Sequence, residues 1–310
     1  MVFLRGYGMR WLGVALAVVL AVTGCGVRRA TTGPQPGPVT VRETEPPPCI
    51  LKFRDKKAER AARARLERDL RRYLARQPGR IAFSAHDLAT GIRLGHREHQ
   101  RDMITASGSK VDILAALLQR RHRLSPAERD LAARMIRESD NGAADALWWR
   151  VGGGGAMARF YRLVGMRETV PGPSRFWGGT TTSPADRIRL LKLLVKGGRG
   201  LTERDRSLVL SLMGRVMRDQ AWGVSAAARP GEKVALKNGW TPRPFRGNTW
   251  AVTSYGRISG PGRDLLLAVQ TDMQPGEGSG IRAIEGLARM IGRRLGDLRQ
   301  ERTVRCPASL

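Results

Sequence analysis

The chain has 310 residues, 41% of them aliphatic, aromatic or Cys and 26% charged. That is enough apolar side chain for a sizeable core and excludes a wholly disordered or fibrous protein. The formal charge of +28 first suggests a nucleic-acid binder, yet of the 55 basic residues 8 are Lys and 47 are Arg, spread along the chain with no basic block or aromatic–basic motif. With Ala and Gly abundant throughout, the pattern reads as compositional bias rather than as a nucleic-acid surface. The one strongly apolar run, Trp11 to Val22, is too short for a spanning helix, which excludes a polytopic membrane protein.

That run has a more specific reading. Arg5 and Arg10 precede it, and Val22-Thr23-Gly24-Cys25 follows it, the layout of a secretory leader with small residues before the cut. The Cys directly after the small pair resembles a bacterial lipobox, which implies cleavage after Gly24 and lipid on Cys25; an ordinary leader with an incidental Cys is the plainer alternative. From Arg28 to Pro48 the chain is rich in Thr, Pro, Gly and Arg, too polar and too Pro-rich to build a core. The expected organisation is therefore a leader over 1–24, a lipidated linker over 25–48 and a folded domain over 49–310. Such a protein would be held by its lipid on the outer face of the cell membrane, where disulfides are permitted and DNA is absent.

Within the folded part, Asp55 to Ala75 carries Ala58, Ala61, Ala62, Leu66, Leu70 and Leu74 at helical spacing. Ile81–Asp87, a Thr90-Gly91 turn and Ile92–His96 read as a hairpin. Lys110 to Arg121 is strongly helical. Ser125-Pro126-Ala127-Glu128 has the N-cap, Pro and Glu of a capping box and opens a helix to about Arg137. Asn141 to Val151 is a further helix, closed by the run Gly152–Gly155. Ser183-Pro184-Ala185-Asp186 opens another to Val195, stopped by Gly197-Gly198. Val234–Asn238, Asn248–Ile258 and Asp264–Thr271 read as strands, and Ile281–Leu295 as the last helix. Strands so far apart in sequence must share one sheet, with the helical block forming a second lobe.

Three short motifs carry chemistry. In Ser107-Gly108-Ser109-Lys110 a Ser and a Lys three apart at a helix start share one face, so the amine can take the hydroxyl proton once its pKa is lowered. Ser139-Asp140-Asn141 falls between two helices, where it can present a hydroxyl and an amide or simply cap the second helix. Lys237-Asn238-Gly239 ends the predicted strand Val234–Leu236, where Lys offers charge to a carboxylate and Gly lets a substrate backbone approach; a plain strand end is the alternative. Each motif is weak alone. Their order is what resembles the penicillin-recognising serine enzymes.

Over roughly Ile50 to Leu298 the chain resembles the class A β-lactamase and D,D-peptidase superfamily, in its exported form. The resemblance implies an α+β fold, a five-stranded antiparallel sheet flanked by helices beside a reduced all-helical lobe. It implies Ser107 as the acylated nucleophile, Lys110 as its base, Ser139 as proton relay and Asn141 as holder of Lys110 and the substrate amide. Lys237 would steer the substrate carboxylate beside Asn238 and Gly239, and the N–H groups of Ser107 and Trp240 would form an oxyanion hole. Substrates would be β-lactams or peptidoglycan-like peptides. No cofactor is expected, no metal either because no His/Cys cluster has ligand spacing, and the protein is expected to be a monomer.

Two departures qualify the implied activity. Class A β-lactamases carry a Glu, in a Glu-x-x-Leu-Asn context, that activates the deacylating water; the equivalent stretch here, Pro171 to Gly179, has no carboxylate, and Glu168 lies before it. The interval from Lys110 to Ser139 is also short, and Asn238 stands where Thr or Ser is usual. Slow deacylation is therefore expected, and a penicillin-binding D,D-peptidase-like enzyme or a catalytically dead wall-peptide-binding lipoprotein are the alternatives. With Cys25 assigned to lipid, the packing of first helix on last in the resembling fold implies a Cys49–Cys306 disulfide.

Overall fold

The computed structural model describes residues 50–52, 56–174, 176–298 and 303–305, all within the compact unit Cys49–Leu310. The leader, the Pro-rich stretch and the three cysteines, Cys25, Cys49 and Cys306, lie outside the described residues.

The described chain begins with β1 (Ile50–Lys52) and α1 (Lys56–Ala75), whose inner face is Ala62, Leu66 and Leu70. β2 (Arg80–Asp87) and β3 (Arg93–His96) form the expected hairpin, its turn fixed by Asp87, which accepts from the Ala89 N–H and the Thr90 hydroxyl. The helical block is α2 (Ser109–Arg121), α3 (Pro126–Arg137), α4 (Asn141–Val151), α5 (Gly153–Val164), α6 (Pro184–Lys196) and α7 (Glu203–Met213). Two-residue strands β4 (Met103–Ile104) and β5 (Thr181–Thr182) pair beside it. β6 (Lys233–Arg243), β7 (Thr249–Gly260), β8 (Arg263–Gln274) and α8 (Glu277–Arg294) follow, and β9 (Thr303–Arg305) pairs antiparallel with β1.

The main sheet has the order β3-β2-β8-β7-β6 and every neighbour is antiparallel, as the resemblance implies. Strand alternation gives the central strand β8 two faces. Leu265, Leu267 and Val269 pack with α1 and α8, whereas Leu266 and Ala268 pack into the helical block. Helix α2 runs through the middle of that block and is buried from Ser109 to Leu118. Truncating one of its leucines, such as Leu114 or Leu117, would cost about 2–5 kcal/mol. The Ser125–Glu128 capping box forms as expected, each side chain bonded to the other residue's backbone N–H.

The structure corrects the reading in three places. The glycine run does not close a helix and stop: Gly152 caps α4 with φ +95°, but Gly153 to Gly155 already belong to α5. The reversal needs left-handed backbone, and the buried face of α5 (Ala156, Met157, Phe160, Tyr161) holds the helix despite its poor first turn. Strand β6 does not end at Gly239. It stays paired with β7 through Arg243↔Thr249, so Lys237-Asn238-Gly239 lies mid-strand. Helices α5 and α7 and the β4–β5 pair were not expected.

Candidate active site

The Ser107 hydroxyl sits on a 3₁₀ turn, Ala106–Gly108, that runs directly into α2. Two structural features force this turn into shape. Ala106 has φ +46°, a conformation costly for a residue with a Cβ. Gly239 of β6 lies so close that a Cβ there would stand 2.4 Å from the Thr105 carbonyl oxygen and 2.8 Å from the Ser107 nitrogen. The third motif thus closes on the first, and only glycine permits it. From beneath, the Tyr255 hydroxyl of β7 donates to the Gly108 carbonyl at 2.7 Å.

Lys110 follows one turn later and is fully buried. Its Nζ donates to the Ser139 carbonyl at 2.5 Å, the Ser139 Oγ at 3.1 Å and the Asn141 Oδ1 at 2.8 Å. Ser139 reaches this position through a left-handed turn, φ +59°, between α3 and α4. Asp140 beside it caps α4, accepting from the Ala143 N–H at 2.8 Å. The motif therefore does both things its sequence allows: Asp140 caps and Ser139 and Asn141 face the lysine. Burial is the main force on Lys110 and pushes its pKa down to about 7, against the pull of the Asp140 and Asp145 carboxylates. A lysine near that value can be neutral, and so basic, at ordinary pH.

Lys237 approaches the same hydroxyl from the sheet. Its Nζ donates to the Ser139 Oγ at 3.0 Å and to the Asn238 carbonyl at 2.9 Å. Burial, reinforced by Lys110, holds its pKa well below the ordinary lysine value. Its neighbour Asn238 is spent otherwise: the amide nitrogen donates to the Gln220 and Trp222 carbonyls at 2.8 and 3.1 Å, tying β6 to the preceding loop. The Trp222 and Trp240 rings meet edge-on, 5.8 Å between centroids. Of the residues singled out in the sequence, Ser107, Lys110, Ser139, Asn141, Lys237 and Gly239 converge. Ser109 does not compete with Ser107, since its hydroxyl is buried and bonded to the Ala106 and Trp177 carbonyls.

A family model described as the "Beta-lactamase enzyme family" matches residues 121–295. The chain belongs to that family. The matched stretch contains Ser139, Asn141 and Lys237 to Trp240 but begins after Lys110, so the placing of Ser107 and Lys110 rests on the geometry above. Putative lipoprotein LppW of Mycobacterium tuberculosis, and that of Mycobacterium bovis, are 28% identical over 213 residues. The match spans 66% of this chain and 66% of the length of those relatives. Among solved structures, PBP-A superposes with a TM-score of 0.64 at 22% identity, covering 75% of this chain and 96% of that one. A β-lactamase from Xanthomonas campestris pv. campestris gives 0.63 at 22%, covering 77% and 99%. The TLA-1 extended-spectrum β-lactamase gives 0.65 at 16%, covering 75% and 98%. At such identities the likeness is one of fold.

Sequence reasoning missed six residues that shape the site. Trp177, on the loop without a carboxylate, lays its ring over the Lys110 Nζ at 4.7 Å from the centroid, and Asp145 accepts its indole N–H at 2.6 Å. Behind α2, Arg187 of α6 and Asp112 form a fully buried ion pair at 2.7 Å. Tyr161 donates to the second Asp112 oxygen at 2.9 Å, and Arg187 lies 5.5 Å from the Tyr255 ring. The missing clue is three-dimensional, because these residues come from six different elements; an Asp two residues after the motif lysine, within the otherwise apolar stretch Val111 to Leu118, was the one visible hint.

Proposed function

We propose that the protein is an extracytoplasmic acyl-serine hydrolase that acts on β-lactam or D-Ala-D-Ala-like amides and releases the acyl group slowly. The observation that carries this reading is the Ser139 Oγ bonded to both lysines, beside a Ser107 turn pinned by Gly239. Neutral Lys110 takes the Ser107 proton as Oγ attacks the amide carbonyl carbon. The carbonyl oxygen gathers charge, and the backbone N–H groups of Ser107 and Trp240 receive it, a contribution of about 3–4 kcal/mol per donor in acyl-transfer enzymes. The C–N bond then breaks, and Ser139 passes the proton from Lys110 to the leaving nitrogen. Lys237 supplies positive charge for the substrate carboxylate. Water later cleaves the ester, returning the proton to Ser107.

No carboxylate stands on the 171–179 loop to activate that water, which also favours the second reading, a penicillin-binding D,D-peptidase-like enzyme. A mutant of PBP-A has been solved as an acyl-enzyme complex with penicillin G, which makes penicillin a suitable probe here. The relatives named as putative lipoproteins support attachment through lipid on Cys25, and no helix among the described residues is long and apolar enough to cross a membrane. Intact-mass analysis with a panel of β-lactams tests the reading. A covalent adduct on the wild type, absent from Ser107→Ala, is expected; an equal adduct on both would refute the assignment, and none on either would leave a binding lipoprotein.

A further inference from the structure

Several elements close around Lys110. The first residues of α4 and the turn before it supply Ser139, Asn141 and the carboxylates of Asp140 and Asp145. Lys237 stands across Ser139 on β6. The indole of Trp177 lies over the amine, 4.7 Å from Nζ to its centroid. With these groups around it, Lys110 has no surface exposed to bulk water.

We propose that Trp177 is a positioning residue that seals Lys110 from solvent and thereby sets how long an acyl group stays on Ser107. The ring is held for this task. Its N–H is fixed by Asp145, its carbonyl accepts the Ser109 hydroxyl at 3.2 Å and the Thr180 N–H at 3.1 Å, and the residue as a whole is 9% exposed. The loop is tight around it, for a Cβ on Gly179 would stand 2.6 Å from the Phe176 ring. Hydrolysis of the ester needs a water next to Ser107 and a base to take its proton. The base nearest in sequence and on the same helix face is Lys110, and the Trp177 indole lies against it. Acyl transfer from amide to Ser107 needs no such water, so the wall slows the second half-reaction without obstructing the first. The proposal rests on the acyl-serine reading above.

Two measurements test it on Trp177→Ala and Trp177→Phe in the full chain. With a penicillin followed by intact mass, the adduct of Trp177→Ala is expected to disappear at least about tenfold faster than that of the wild type, a floor beneath the about 10²–10⁴-fold that general-base assistance commands. Trp177→Phe, whose smaller ring covers the amine in part, should fall between. Equal lifetimes in all three proteins would overturn the proposal. The second readout needs no acylation by a substrate: acetylation of Lys110 by acetic anhydride, located by peptide mass, should be faster in Trp177→Ala than in the wild type. An unchanged rate overturns the proposal even if the wild type takes no β-lactam, an outcome that would instead remove the acyl-serine reading. Melting temperatures of both variants establish that they are folded, and should Trp177→Ala fail to fold, the comparison of Trp177→Phe with the wild type decides.

Discussion

Lys110 and Lys237, 127 positions apart in sequence and on different layers of the fold, donate to one oxygen, the Ser139 Oγ, at 3.1 and 3.0 Å. Two cations sharing a neutral hydroxyl in a buried site are stable only if at least one gives up its proton, and burial drives both in that direction. Ser139→Ala removes the shared acceptor and the relay together. Acylation by a β-lactam should slow by about 10²–10⁴-fold, measured by adduct formation over time; a rate within a few-fold of the wild type would exclude Ser139 from the proton path.

The lysine base sets the pH dependence. Only the neutral amine accepts the Ser107 proton, so acylation should rise through about pH 7 and level off above it. The stability effect has the same direction. A lysine whose pKa is lowered on folding binds fewer protons folded than unfolded, so its burial penalty is present in full below about pH 7 and is relieved as pH rises. Between about pH 7 and pH 9 Lys110 contributes a gain approaching about 1.4 kcal/mol per pH unit. Denaturant unfolding of the wild type and Lys110→Met across that window should show the difference in slope.

Gly239→Ala places a methyl group against the Thr105 carbonyl oxygen and the Ser107 and Gly108 nitrogens. The backbone must yield, at a cost of about 1–3 kcal/mol, and the turn carrying the nucleophile moves with it. Loss of adduct formation beyond the loss in stability is the expected result, read from adduct mass and unfolding on the same sample. An active, fully stable Gly239→Ala would show that the third motif does not hold the first.

The Asp112–Arg187 pair has no exposed atoms in either side chain. Removing one member strands the other. Asp112→Ala should cost about 3–5 kcal/mol, and Asp112→Leu combined with Arg187→Met should recover most of it. Chemical unfolding of the three proteins checks this, and an additive double variant would mean that the pair is not coupled.

The pairing of Ile50 with Arg305 supports the proposed Cys49–Cys306 disulfide, since each cysteine directly adjoins one member of that pair in sequence. Peptide mass analysis after alkylation without reduction should find both cysteines protected. Alkylation of both before reduction would end the proposal.

Much of this architecture was legible because local signals and tertiary contacts agree. The capping residues Ser125 and Ser183 start their helices where the sequence places them, and the short apolar run Leu265–Val269 marks a strand that two cores then bury. The failures share a cause. Gly153 to Gly155 are poor helix formers by propensity, and α5 forms because its apolar face is covered. Lys237-Asn238-Gly239 reads as a strand end, yet the ladder to β7 carries β6 past it to Arg243. Helix α7 went unread although Thr202 and Asp205 form a capping box of their own. In the site, residues within one motif could be paired from spacing, whereas Trp177, Asp145 and Tyr255 join it only after distant elements come together.

The double-sided burial of β8 has a consequence for how such a molecule can be remodelled. With Leu266 and Ala268 committed to one core and Leu265, Leu267 and Val269 to the other, the two layers share a single spine. The helical block can be shortened, as the interval of 29 residues from Lys110 to Ser139 illustrates, but it cannot be excised as a module without stripping one face of the strand that the other layer also depends on. Insertions and deletions in this scaffold are therefore confined to the connections between helices, and recombination with another domain has to take both layers or neither.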